Sequence, residues 1–125
     1  MTLVLDTGAL IALERNERPM WTRLKALHAA GEVPVTHGGV LGQAWRGSPR
    51  QARLARALQG ITIEAVDQRL GRAAGELLAA TGSSDVIDAC LALLSTDGDE
   101  IVTLDRGDIE ILVAATGRHV ELIRP

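Results

Sequence analysis

The chain has 125 residues, 46% of them hydrophobic and 23% charged, with a formal net charge of −3. That length closes a hydrophobic core without disulfide or metal staples, so a single domain over residues 1–125 is expected. Two Trp and no Phe or Tyr leave almost no aromatic platforms on which single-stranded bases stack, which counts against a binder of that kind but not against an enzyme that handles nucleic acid through its backbone.

One cysteine, Cys90, rules out an internal disulfide and a Cys-based zinc site, and its apolar surroundings suit a buried, inert thiol. The opening Met-Thr-Leu-Val-Leu-Asp lacks the basic region of a signal peptide. No apolar run approaches the roughly 18 residues of a membrane span, so a cytoplasmic protein without a membrane partner is expected.

In chain order, Thr2–Leu5 reads as a buried strand that hands over at Asp6 to a helix over Thr7–Glu14. A second helix, Pro19–Ala30, places Met20, Leu24 and Leu27 on one core-facing stripe, and Gly31 ends it. Residues Val33–Thr36 form a short strand, and Val40–Arg46 a helix with Val40, Leu41, Ala44 and Trp45 as its apolar side. Ser48-Pro49 opens a helix running to Leu58, followed by a strand at Ile61–Ile63. Asp67 caps a helix to about Ala80, closed by Gly82. Asp85 opens the next helix, in which Ile87, Leu91 and Leu94 recur at i, i+4 and i+7. The strand Glu100–Leu104, a loop at 105–108, a helix Ile109–Thr116 and a strand Val120–Ile123 complete the chain. Strands alternating with helices of this length predict an α/β fold with a parallel sheet covered on both faces.

In such sheets ligands bind at the carboxyl ends of the strands. Asp6 follows the first strand and Asp105 the fourth, while Asp85 and Asp88 sit at i and i+3 near a helix start. Strand ends and helix starts share one rim of the sheet, so Asp6, Asp88 and Asp105 can meet. Carboxylates brought together repel unless a cation compensates. Hard oxygen ligands, with no histidine cluster and no usable thiol, point to Mg²⁺ or Mn²⁺, which retain waters able to attack a phosphodiester. Each acid also has a plainer use: Asp6, Asp85 and Asp108 are all placed to cap the helix that follows.

Three short motifs carry a resemblance: Val4-Leu5-Asp6-Thr7-Gly8-Ala9-Leu10-Ile11-Ala12, Asp85-Val86-Ile87-Asp88-Ala89 and Val102-Thr103-Leu104-Asp105-Arg106-Gly107-Asp108. Their order and spacing, over essentially all 125 residues, resemble the PIN-domain family and within it the VapC-type toxins of toxin–antitoxin systems. The resemblance implies a three-layer α/β/α sandwich around a mainly parallel sheet of about five strands. It also implies an Mg²⁺- or Mn²⁺-dependent ribonuclease acting on RNA, commonly a homodimer, neutralised by a small antitoxin. On the matching motifs, Asp6, Asp88 and Asp105 become the catalytic metal ligands, with Asp108 as an outer ligand and Asp85 as a further candidate. The family usually has a Glu in the helix after strand two, where this chain has Gln43. Glutamine keeps an acceptor oxygen but cannot act as a base. Gln43 either holds a water at an active site or marks a catalytically silent module that binds RNA or protein.

No Asp or Glu occurs from Val33 to Ile63, whereas Arg46, Arg50, Arg53 and Arg56 fall within eleven residues. Arg50, Arg53 and Arg56 are expected to form a basic stripe on one helix. It would suit RNA phosphates, an acidic protein segment, or a solvated outer face. His28, His37 and His119 show no ligand spacing and read as surface or loop residues. A covalent phosphotransferase using Asp6, of the haloacid-dehalogenase type, needs an acid two residues on, where Gly8 stands.

Overall fold

The computed structural model describes all residues, Met1–Pro125. Five strands, β1 (Leu3–Leu5), β2 (Val35–His37), β3 (Thr62–Glu64), β4 (Glu100–Val102) and β5 (Glu121–Ile123), form one sheet in the order β3-β2-β1-β4-β5. All neighbours are parallel, with Val4 paired to Val35 on one side and to Ile101 on the other.

Seven helices connect them: α1 (Thr7–Glu14), α2 (Arg18–Ala29), α3 (Gly38–Ala44), α4 (Ala52–Leu58), α5 (Gln68–Thr81), α6 (Val86–Leu94) and α7 (Arg106–Thr116). The chain steps from β1 through β2 to β3, then crosses back to β4 and β5. Right-handed crossovers therefore put the first four helices on one face and the last three on the other. The packing agrees: α1 contacts α2, α3 and α4, while α5, α6 and α7 pack together. This is the three-layer α/β/α sandwich with a parallel five-stranded sheet that the sequence leads one to expect. No single helix is long and apolar enough to cross a membrane.

The core joins Leu3, Val4 and Leu5 of β1 and Ile101 and Val102 of β4 to the inner faces of both helical layers, all by aliphatic side chains. Met20, Leu24 and Leu27 are buried as a stripe, whereas Trp21 is half-buried and donates its indole N–H to the Leu13 carbonyl. Cys90 is buried. Helix α6 is buried nearly all round, from Asp88 through Ala92, so its acid lies inside the protein.

Several boundaries differ from expectation. Strand β2 begins at Val35, not Val33, because Pro34 has no N–H to give and Val33 projects into solvent. Helix α3 begins at Gly38, not Val40, because the His37 ring accepts the Gly39 N–H and caps it. It stops at Ala44, leaving Trp45 exposed. The stretch expected as one helix from Pro49 begins as a 3₁₀ turn, Pro49–Gln51, before α4. Buried Gln51 holds that break: its oxygen accepts Arg46 N–H and Gly47 N–H, and its amide donates to the Ala44 carbonyl and to Glu14. Arg50 therefore lies off α4, and the expected single-helix stripe of three arginines does not form.

Strand β3 lies one residue later than expected, at Thr62–Glu64, and β5 starts at Glu121. Strand β4 stops at Val102, and α7 starts at Arg106, three residues before the expected Ile109. Asp105 takes the N-terminal boundary of that helix, and Asp108 lies within its first turn instead of capping it.

Candidate metal centre

The order of strands reverses between β1 and β4, the switch point at which an open α/β sheet leaves a crevice. Asp6 ends β1 and Asp105 stands three residues beyond β4, so both carboxylates reach this crevice. A cleft of about 340 Å³ there is lined by Asp6, Asp85, Asp88, Asp105 and Gln43, with Thr7, Gly8, Ile11 and Leu104. The acids come from two strand ends and from the start of α6, and Gln43 comes from the opposite helical layer.

Asp6 is only 6% exposed, and both of its oxygens are engaged. Oδ1 accepts the Thr7 N–H at 2.7 Å, capping α1, and Oδ2 accepts the Thr103 hydroxyl at 2.6 Å. Asp85 caps α6, accepting the Ile87 and Asp88 N–H groups at 2.9 and 3.1 Å. Asp105 makes no side-chain cap bond, so its carboxylate is free to face the cleft.

Asp88 differs from the others. It is 5% exposed, and its Oδ2 is buried without any hydrogen-bond partner. Burial, then the charges of Asp85 and Asp6, then the nearby Asp105 carboxyl, push its pKa up to about 8. An oxygen atom of each of Asp88, Asp105 and Asp108 lies within 4.8 Å of the others, close enough to share one ion. Asp6 shares the cleft with Asp88 and Asp105, while Asp108 approaches them from outside its lining. An orphaned buried oxygen among carboxylates fits a hard, oxygen-seeking cation.

Gln43 receives the Thr7 hydroxyl on its side-chain oxygen. Its NH₂ group has no partner within the protein, and the residue lines the cleft. At the cleft's edge Leu104 is 67% exposed and lies over the first turn of α1. A Cβ on Gly8 would stand 2.9 Å from that side chain, so the glycine makes room for it.

Two residues at the site carry no signal in the motif spacing. Thr103 is buried, and its hydroxyl both donates to Asp6 and accepts the Asp105 N–H at 2.9 Å, tying the ends of β1 and β4 together. Thr103→Val keeps the shape but leaves a carboxylate oxygen and a backbone N–H unpaired. A loss of about 2–3 kcal/mol is expected, read as a lower urea midpoint at unchanged slope.

His37, expected at the surface, is fully buried because it ends β2 beneath α6. Its Nδ1 accepts the Gly39 N–H, so Nε2 carries the proton and donates to the Ile87 carbonyl at 2.9 Å, one residue from Asp88. Burial lowers its pKa against smaller opposing effects of the Ile87 carbonyl and the Asp6 charge, which favours the neutral ring. His28 and His119 are exposed as expected, with His28 bonded through Nε2 to the Gly60 carbonyl.

The arginines separate. Arg46 folds back on its own helix, donating to the Gly42 and Trp45 carbonyls. Arg50 is exposed on the 3₁₀ turn, and Arg53 and Arg56 line a different cleft, away from the acids.

Neither a protein-family model nor a curated protein matches the sequence. Solved structures do match. A chain of the crystal structure described as VapBC2 from Rickettsia felis bound to a DNA fragment from their promoter superposes with a TM-score of 0.69 at 17% identity, covering 98% of both chains. At that identity the likeness establishes the fold alone, an α/β/α sandwich of the kind that the resemblance in the three short motifs implies.

Proposed function

We propose that this chain is a divalent-metal-dependent endoribonuclease, the toxin of a toxin–antitoxin pair, acting as a single-domain protein in the cytoplasm and commonly as a homodimer. The observation that carries the reading is Asp88 Oδ2, buried and unpaired where the carboxylates of Asp88, Asp105 and Asp108 converge. The structural neighbour is a VapBC2 complex, which supports a small antitoxin as partner.

Asp88, Asp105 and Asp6 would hold Mg²⁺ or Mn²⁺, with Asp108 as outer ligand and Asp85 adding charge. A bound ion would set positive charge against the scissile phosphate and acidify a coordinated water. The chain's own groups do the rest. Thr103 fixes the angle between Asp6 and Asp105, and His37 fixes the first turn of α6 beneath Asp88. The Gln43 NH₂ donates to a phosphate oxygen or to the attacking water. Gln43 cannot take a proton, so its part would be to hold a substrate oxygen or a water in place rather than to act as a base. Arg46, Arg50, Arg53 and Arg56 contact RNA phosphates outside the acidic cleft.

Gln43 itself favours a second reading, a silent module that binds RNA or a protein without cutting. Cleavage of RNA by wild type and Gln43→Glu, with and without Mn²⁺, separates the two. The nuclease reading expects metal-dependent cleavage by wild type and a change of less than about tenfold in the variant, equivalent to about 1.4 kcal/mol. A wild type without cleavage that gains it in Gln43→Glu would make the natural chain silent.

A further inference from the structure

A second cleft, of about 630 Å³, lies between α2 and α4. Arg18 and Lys25 line it from α2, and Arg53 and Arg56 line it from α4. Their spacing explains the arrangement. Arg18, Thr22 and Lys25 recur at i, i+4 and i+7 on the face of α2 away from the buried Met20, Leu24 and Leu27. Arg53 and Arg56, at i and i+3, share a face of α4 whose buried side is Leu54 and Ala57. Two cationic helix faces thus confront each other, and no Asp or Glu lines the space between them. Like charges facing each other repel, and a bound polyanion relieves that cost.

From this we infer that the cleft is a binding site for the phosphodiester backbone of single-stranded RNA, separate from the acidic cleft. The choice of RNA rests on the nuclease reading above and on the lining. Trp21 is its only apolar member, and that indole N–H is already used by the Leu13 carbonyl. A docked amphipathic protein segment needs apolar seats, which are missing here. Three of the four cations are arginines, whose planar fork fits phosphate, and Asn16 and Thr22 add neutral hydrogen-bonding groups. Helix α1 connects the two clefts. Thr7 at its first residue lines the acidic one, and Asn16, two residues past its last, lines the basic one. Eight helical residues span about 12 Å, which sets the separation of the two clefts along that helix.

The test is binding of a labelled single-stranded RNA oligonucleotide, followed by fluorescence anisotropy in EDTA between about 50 and 200 mM salt. The double variants Arg53→Ala/Arg56→Ala and Arg18→Ala/Lys25→Ala should each weaken binding about tenfold. Each should also flatten the slope of log K against log salt by about 1.4, at about 0.7 per lost phosphate contact. Arg69→Ala/Arg72→Ala, on the outer face of α5, should change neither. Affinity and slope within twofold of wild type in both cleft variants would overturn the inference. So would binding of polyglutamate, lost in those variants, by a chain that ignores RNA. Because metal is absent, RNA binding without any cleavage in Mn²⁺ would sink the nuclease reading and leave this site standing. Cleavage with unmoved slopes would sink this site alone.

Discussion

Asp88→Asn is expected to abolish cleavage and, at the same time, to stabilise the metal-free protein. Both effects follow from one atom, the unpaired buried Oδ2. Without that charge a cation bound there would lose its most buried ligand. A metal's electrostatic contribution of several kcal/mol corresponds to a rate loss of about a thousandfold or more. Cleavage within threefold of wild type would refute the assignment.

The stability effect has a definite pH window. A carboxyl with an ordinary pKa of 3.8 in the unfolded chain is raised to about 8 in the fold. The folded state therefore binds this proton more tightly. The stability it contributes is complete below about pH 4 and is lost as pH rises through about 8. Asn at 88 is neutral at every pH and should remove that decline, so the melting temperature of the metal-free variant should exceed that of wild type most clearly at pH 8–9. Metal reverses the order, since it binds only the ionised form. Its affinity for wild type should tighten as pH rises toward 8, and calorimetry in buffers of different ionisation enthalpy should register a released proton. A metal-free wild type as stable at pH 9 as at pH 5 would show that Asp88 is not the strained group described here.

The parts of this design legible in the sequence are those in which local signals agree with tertiary placement. Asp6 ends an apolar strand and starts an Ala- and Leu-rich helix, and it occupies that junction in the fold. Asp85 caps α6 as its position before Val86 implies. Elements alternate clearly enough to fix the sheet class, although strands of three residues carry too little periodicity to set their ends.

What stayed hidden depends on partners distant in the chain. His37 looks like any polar residue before Gly-Gly, and its role comes from the Ile87 carbonyl 50 positions away. Thr103 reads as a strand residue until Asp6, 97 positions away, receives its hydroxyl. Gly107 and Asp108 resemble loop residues, yet the chain coils from Arg106 because Ile109, Leu112 and Val113 bury one face of α7 against the core. The basic cleft escaped for the same reason. Arg53 and Arg56 form a local run, but Arg18 and Lys25 meet them only through the packing of α1 against both α2 and α4.

Asp6→Asn should also abolish cleavage, but with a different thermodynamic signature. Both Asp6 oxygens are hydrogen-bonded, so this carboxylate, unlike Asp88, has partners within the protein itself. Asn keeps the oxygen that receives the Thr7 N–H. The Thr103 hydroxyl can turn to accept from the new amide, at a cost of about 1 kcal/mol for the lost charge-assisted bond. The fold should therefore persist with a slightly lower melting temperature, while cleavage falls on the order of a thousandfold. Activity within threefold of wild type would remove Asp6 from the mechanism. Its charge also helps to raise the Asp88 pKa. In Asp6→Asn the pH at which metal-free stability declines should accordingly move down from about 8. The double variant Asp6→Asn/Asp88→Asn decides whether the two acids act as one unit. If they serve a single ion, its cleavage should be no worse than that of the weaker single variant, because neither charge works without the other. Rate losses that multiply would instead mean two separate roles, with Asp6 acting on the substrate and Asp88 on the metal.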